Sequence, residues 1–516
     1  MSPPNANEEL AHPGSGEKDV AEMAITDVDV KPAQARDDVY DHAERIAYAP
    51  EEGARVLRKI DLILLPLLCG CYIFPFLDKT LLNYSSIFGL QTALHLTGSM
   101  YSWTGSIFYF GYMLGSIMWS KLVQRFPRHV GKLISGAMVV WSAIILLTPL
   151  VTNFAGLMVN RFFLGIMESI TGPIFVVVTS NWWTRNEQSF RTAFWLGGTP
   201  IGNFIGGCLS YALGSIHTSF PTWKLFYVFF GSFSFAFALL LAFLMPDHQG
   251  NARWLTPRER KIAVERVREN QTVSGDHHWK WNQFWEALRD PQTIMFFITA
   301  IGNTMPSTFA SQFSSQIVKG FGFSAVQTTI ISTCPAATIQ LSTFLIFSYL
   351  ASRMRNTRLW WSLVCSVPPL IGASLLHALP TSNTAGRLAG YYLTYTHTMS
   401  FTFSTSLMAS NYAGHTKKTT ASGIIFVGWA AGLIAGPQFF LADQAPNYQM
   451  AFEMLMVCYA LMIVLPLLQI WWYTHENARR DRLAQTHDDG DVVDGSELEF
   501  TDKSDFERWR TFRYTM

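Results

Sequence analysis

The chain has 516 residues, 49% of them hydrophobic and only 15% charged, with a formal net charge of +1. A soluble globular protein carries about 25% charged residues, so this composition excludes an ordinary soluble domain, and the near-zero net charge offers no electrostatic footprint for a nucleic acid. All six cysteines (Cys69, Cys71, Cys208, Cys334, Cys365 and Cys458) fall inside or at the edges of apolar runs, which argues against a disulfide framework or a zinc site; they read as small hydrophobes.

Residues 1–58 are polar, rich in Asp, Glu, Ala and Pro, and hold no apolar run. They resemble neither a signal peptide nor a transit peptide and are expected to form a disordered cytosolic tail. Runs long enough to cross a bilayer, which takes about 20 residues of helix, then recur at 61–85, 101–122, 131–151, 155–180, 192–216 and 224–245. A second set lies at 291–316, 324–349, 359–379, 387–410, 420–442 and 450–473. These predict an N-terminal six-helix bundle over 59–245 and a C-terminal one over 291–474. The cytosolic loop between them, 246–290, contains a stretch from Glu259 to Glu269 that reads as a short amphipathic surface helix. From His475 the chain turns polar and acidic (Asp488, Asp489, Asp491, Asp494, Glu497, Glu499), so 475–516 is expected to be a solvated cytosolic tail.

Orientation comes from the basic residues, which stay cytosolic. Leaving aside the basic central stretch, loops after even-numbered spans carry Lys121, Arg125, Arg128, Lys132, Arg185, Arg191, Arg353, Arg355, Arg358, Lys417 and Lys418, against Lys224, Lys319 and Arg387 after odd-numbered spans. Both ends are therefore expected in the cytosol.

The expected fold is an all-α integral membrane protein with twelve transmembrane helices in two six-helix bundles. That is the plan of the major facilitator superfamily, whose halves rock about a midplane site. Particular residues sharpen the likeness. They are Phe76 to Leu90, Leu96 to Trp103, Phe108-Tyr-Phe-Gly-Tyr112, Arg161-Phe-Phe-Leu-Gly-Ile-Met-Glu168, Trp182 to Gln188 with Arg191, Ala252-Arg-Trp-Leu255, Asn411 to Lys418, Gly436-Pro-Gln438 and Asp443-Gln-Ala-Pro446. In this order, over residues 59–474, they resemble the fungal allantoate permease subfamily of the anion:cation symporters. Members of that family move organic anions, commonly with protons. Two positions depart from the pattern: Gln124-Arg125-Phe126-Pro127 lacks the usual loop Asp, and Leu433 stands where the family often has Asn.

Four ionisable residues interrupt the lipid-compatible helices: Asp78 and Lys79 in the first span, Arg161 and Glu168 in the fourth. Each costs about 2.5–3.5 kcal/mol near the middle of a membrane, so their presence points to a pathway that handles charge. Seven residues are nearly two helical turns, which puts Arg161 and Glu168 on one face about 10 Å apart, with Gly165 and Gly172 close by for another helix to approach. Asp78 and Lys79 point about 100° apart. The quartet sums to zero charge, and protonating one carboxylate restores balance when an anion arrives. The resemblance implies that Asp78 pairs with Arg161, that Lys79 meets a substrate carboxylate, and that Glu168 couples protons to transport, with Asp78 and Arg161 in support. The competing reading is a purely structural charge cluster.

Asn83, Asn303, Tyr395 and His397, with Tyr84 and Gln312, also interrupt apolar helices; they either line a substrate cavity or make interhelical hydrogen bonds. Asn83-Tyr-Ser85 is in addition a weak glycosylation sequon. No His-Glu-x-x-His, Walker or histidine-box motif is present, so no enzyme, no ATP-driven pump, no metal and no cofactor is expected. The tails are short for a transporter-like nutrient sensor, which stays the remote alternative. The expected function is proton-coupled uptake, by alternating access at the plasma membrane, of a small organic anion such as a ureide or vitamin carboxylate. Efflux of a secondary metabolite is the alternative. The expected partners are the anion, protons and lipid, with a monomer as the working unit and no nucleic acid.

Overall fold

The computed structural model describes residues 46–268, 279–354, 356–486 and 502–516. These residues hold no strand, and twelve spans account for the helices that cross the bilayer. The first bundle contains α1 (Pro50–Ile87), α2 (Met100–Arg125), α3 (Val130–Leu147), α4 (Phe154–Glu168, resuming as Thr171–Trp182), α5 (Arg185–Leu196, then Gly198–Gly214) and α6 (Thr222–Leu244). In the second, α7 runs from Pro291–Thr308 through a π-helical turn, Phe309–Phe313, into Ser314–Gly320. After it come α8 (Ala325–Arg353), α9 (Arg358–Ala378), α10 (Thr384–Leu393, a 3-10 turn, then Thr398–Asn411), α11 (His415–Ala435) and α12 (Gln449–Thr486).

Seven of these helices are long and apolar enough to span a membrane by composition alone. The others are interrupted (α4, α5, α7, α10) or, in α2, rich in Gly, Ser and Tyr. The first helix begins at Pro50, with Glu51 and Glu52 in its first turn, where proline and acidic residues favour a helix start. Residues 50–58, expected as tail, therefore belong to α1; residues 1–45 lie outside the described chain. The linker carries helices at Pro257–Val267 and Trp281–Arg289. The first opens with a reciprocal cap between Thr256 and Glu259 and is tied to α1 by Lys59–Glu259 and Arg258–Glu52 ion pairs. Both ends of the described chain thus meet the linker on one side of the molecule, here the terminal side.

Two packing features place the site. Helices α2 and α4 touch backbone to backbone: a Cβ on Gly165 would lie 2.0 Å from the Phe108 carbonyl oxygen, and one on Gly111 2.1 Å from that of Phe162. Only glycine allows this approach, and it sets Arg161 and Glu168 against the aromatic face of α2.

The bundles are joined by hydrogen bonds gathered toward the far side. Asn83 donates to Ser314 Oγ at 2.7 Å and accepts from the Ser315 amide at 3.1 Å. Tyr101 donates to the Gln312 carbonyl at 2.8 Å, and Ser106 to that of Ile434 at 2.7 Å. Across the same junction the sulfurs of Cys208 on α5 and Cys334 on α8 stand 3.5 Å apart.

The end of the chain corrects an expectation. Composition predicts a solvated stretch from His475, yet α12 continues to Thr486 and residues 502–516 pack against the second bundle. Lys417, fully buried, pairs with Glu286, Asp290 and Asp505, each at 2.8 Å, and lies 3.7 Å from the centre of the Phe506 ring. Arg480 donates to the Tyr514 hydroxyl at 2.8 Å, which donates to Asp505 at 2.7 Å. Asn411 holds the Thr515 backbone at both its N–H and its carbonyl. The acidic run from Asp488 to Glu499 lies outside the described residues. Its charge dominates the composition of the tail and hides the aromatic and basic residues that hold 502–516 in place.

Candidate functional site

The helical turn between Asp78 and Lys79 sends the two side chains to different partners. Asp78 faces Arg161, whose Nη1 is 3.6 Å from its Oδ2; both are almost fully buried, at 1% and 3% exposure. Arg161 also donates to the Tyr227 hydroxyl of α6 at 3.0 Å. Lys79 turns the other way and places its ammonium 2.7 Å from Glu168 Oε1. Here the exposures differ: Lys79 is 23% open and Glu168 3%. The ammonium also lies 5.7 and 5.9 Å from the centres of the Phe108 and Tyr112 rings, within the range of a cation–π attraction. The quartet is thus two pairs: a closed one that ties α1 to α4 and α6, and an accessible one on a cavity wall.

Lys79 stands where three spaces meet. The largest, about 520 Å³, lies between the bundles and is lined by Tyr72, Lys79, Tyr112 and Glu168 from the first and by Gln340, Phe344, Phe401 and Trp429 from the second. A second, about 220 Å³, shares Lys79 and Trp429 and reaches Tyr395 and His397. The third is a crevice of about 20 Å³ that Lys79 shares with Arg161 and Gln312.

The candidate residues thus have different placements. Asp78, Lys79, Arg161 and Glu168 come together; Tyr395 and His397 line the neighbouring space. His397 is held by Ser307 at 3.3 Å and by the Thr394 carbonyl at 2.6 Å. Asn303 lines none of the three spaces; its amide donates to the His397 carbonyl at 3.2 Å and pins α7 to α10. Asn83 also lies outside them, buried in the far-side junction, and its occupied amide nitrogen is closed to a glycan, contrary to the sequon. Tyr227, Trp429 and Gln340 join the site without having been singled out in the sequence. The last had a signal, since it is an uncompensated amide in an apolar run, as Asn303 is. Among the described residues no group of three His, Cys, Asp or Glu could hold a metal ion.

The profile of the Major Facilitator Superfamily matches residues 68–437. The chain belongs to the major facilitator superfamily. It is 33% identical to an uncharacterised transporter of Schizosaccharomyces pombe over the whole of both chains. It is 32% identical to the allantoate permease of Saccharomyces cerevisiae, over 92% of this chain and 89% of that one. In fold it is similar to the xylose transporter XylE from E. coli, with a TM-score of 0.60 at 12% identity, over 78% of this chain and 95% of that one. Membership makes it a multi-pass membrane transporter with no enzymatic role. Transporters of the superfamily keep their substrate site near the midplane between two bundles. Glu168 closes the first segment of α4, midway along that span, and sits beside Lys79 on the first bundle's wall of the cavity between the bundles.

Proposed function

We propose that this transporter carries a small organic anion together with a proton across the plasma membrane, inward along the proton gradient, with both chain ends in the cytosol. The observation that carries the reading is the Lys79–Glu168 pair on the cavity wall at 2.7 Å. In the empty carrier each charge satisfies the other, so the site is neutral and can cross between its two facings at low cost. A proton arriving at Glu168 removes its negative charge and its claim on Lys79. The freed ammonium then takes the substrate carboxylate, and the loaded site is neutral again. When the anion leaves, Lys79 returns to Glu168 and favours its ionised form, so the proton leaves too. Asp78, Arg161 and Tyr227 hold α1, α4 and α6 while this exchange takes place. The anion:cation symporter likeness and the identity to the allantoate permease support the same reading.

The test is Glu168→Gln, which keeps the size of the side chain but cannot exchange a proton. In proteoliposomes with an acid exterior, the wild type should accumulate a labelled organic anion. The variant should lose net accumulation yet still exchange labelled for unlabelled substrate. Accumulation by the variant at the wild-type ratio would remove Glu168 from the coupling role.

A further inference from the structure

We infer that the substrate is a singly charged carboxylate whose body is a flat, largely apolar ring system. This rests on the anion-transport reading above and narrows it.

Charge sets the first limit. Among the described residues around the 520 Å³ cavity, the charged side chains are Lys79 and Glu168, already paired with each other. One ammonium can be released to one carboxylate. Arg161 cannot serve a second: it is buried behind Lys79, held by Asp78 and Tyr227, and reaches only the narrow crevice. A dicarboxylate would therefore keep one charge unpaired in a space walled by low-dielectric side chains.

The walls set the second limit. Both bundles present rings: Tyr72, Phe76 and Tyr112 from one, Phe344, Phe401 and Trp429 from the other. Several are held from behind. Tyr72 packs 5.1 Å from Phe175 and 4.8 Å from Trp195. Trp429 stacks on Phe426 at 5.6 Å and meets Tyr112 at 5.4 Å. Rings fixed in this way form rigid surfaces that favour another flat π-system over a flexible chain. Tyr112 lies beside both the Lys79 ammonium and Trp429, so the group attached to a carboxylate on Lys79 falls in the space that Tyr112 and Trp429 wall together.

Polar capacity sets the third. The Thr171 hydroxyl is spent on the Glu168 carbonyl and that of Thr402 on the Thr398 carbonyl, which leaves Gln340 as the one side-chain amide of the described lining, beside the Thr199, Thr398, Tyr72 and Tyr112 hydroxyls. A body built of several amides, as in a ureide, would bury more donors and acceptors than one amide and these scattered hydroxyls can meet.

The probes are benzoate, hexanoate, phthalate, benzamide and allantoate, titrated against the purified full-length protein with thermal stabilisation as the readout. Benzoate should bind at least about tenfold more tightly than each of the others. Trp429→Leu should erase most of the preference of benzoate over hexanoate, by weakening benzoate binding far more than hexanoate binding. Phe401→Leu, on the other side of the cavity, should act in the same direction and serves if the first variant does not fold. Allantoate or phthalate binding as tightly as benzoate would overturn the ring-monocarboxylate inference and leave anion transport standing. So would hexanoate matching benzoate. Benzamide equal to benzoate, or no binding by any of the carboxylates, would overturn the anion reading itself and this inference with it.

Discussion

Asp78 and Lys79 share a peptide bond and very little else, and the consequences of replacing them should differ accordingly. Asp78→Asn leaves the Arg161 guanidinium, 3% exposed, with only a phenol for a partner. Removing one member of a buried pair costs about 3–5 kcal/mol because the other charge stays unpaired. The expected outcome is a marked fall in melting temperature and in the yield of monodisperse protein on size exclusion. Asp78→Asn with Arg161→Gln should recover part of that loss, since no lone charge remains; a double variant no more stable than the single one would mean the pair has no structural weight. Lys79→Met should behave otherwise. Lys79 is partly open to the cavity, and Glu168, left alone, can take up a proton. Near-normal melting with transport lost is the expected signature, measured by thermal shift beside labelled-anion uptake. The sequence singled out all four residues, but it offered Glu168 no base of its own; only the crossing of α1 and α4 supplies Lys79.

At the scale of elements, the C-terminal segment is the clearest case of local chemistry outrunning composition. Glu286 lies in the linker helix, Asp290 caps α7, Lys417 begins α11 and Asp505 lies beyond α12; one ammonium draws the four elements together. Burial pushes the Asp290 carboxyl above its ordinary value, while Lys417 pulls it back. Lys417→Met should therefore be the most destabilising change here, because three carboxylates then share a buried site with no cation. Deleting residues 502–516 removes one of the acids and opens the rest to water, so it should lower the melting temperature less. Equal melting of both variants and the wild type would show that the cluster does not hold these helices. Other element features were illegible for a related reason. The breaks in α4 and α10 leave apolar periodicity intact; in α7 Pro306 marks a bend three residues ahead of the π-helical turn, but a proline alone does not tell a π-helical turn from a simple kink.

Across the whole molecule, the bundles meet through the far-side junction while the main cavity lies toward the terminal side. Alternating access requires that junction to part. Cys208 and Cys334 offer a direct test, since their sulfurs are 3.5 Å apart on opposite bundles and need to close to about 2.05 Å for a bond. Oxidation with copper phenanthroline should cross-link them and stop transport, and a thiol reductant should restore it. Cys208→Ser should transport normally and ignore the oxidant. Undiminished transport by the cross-linked protein would mean this junction stays shut through the cycle. Sidedness is a separate expectation: tags on both ends should become accessible only after the membrane is permeabilised, and one exposed on intact cells would contradict the basic-loop asymmetry.

Length, apolar spacing and basic loops were enough to predict twelve spans, two bundles and the class of protein, because lipid forces every crossing segment to satisfy its own backbone and leaves a long hydrophobic trace. Isolated charges were also legible, since a membrane makes each one expensive. Partnership was not, because it depends on residues far apart in the chain: Lys79 with Glu168, Arg161 with Tyr227, Asn83 with Ser314, Lys417 with Asp505. Helix crossings decide those, and here they rest on close contacts such as Gly165 against Phe108. The same crossings separate Asn83, which joins the bundles, from Lys79, which lines the cavity, although they lie about one helical turn apart on the same helix.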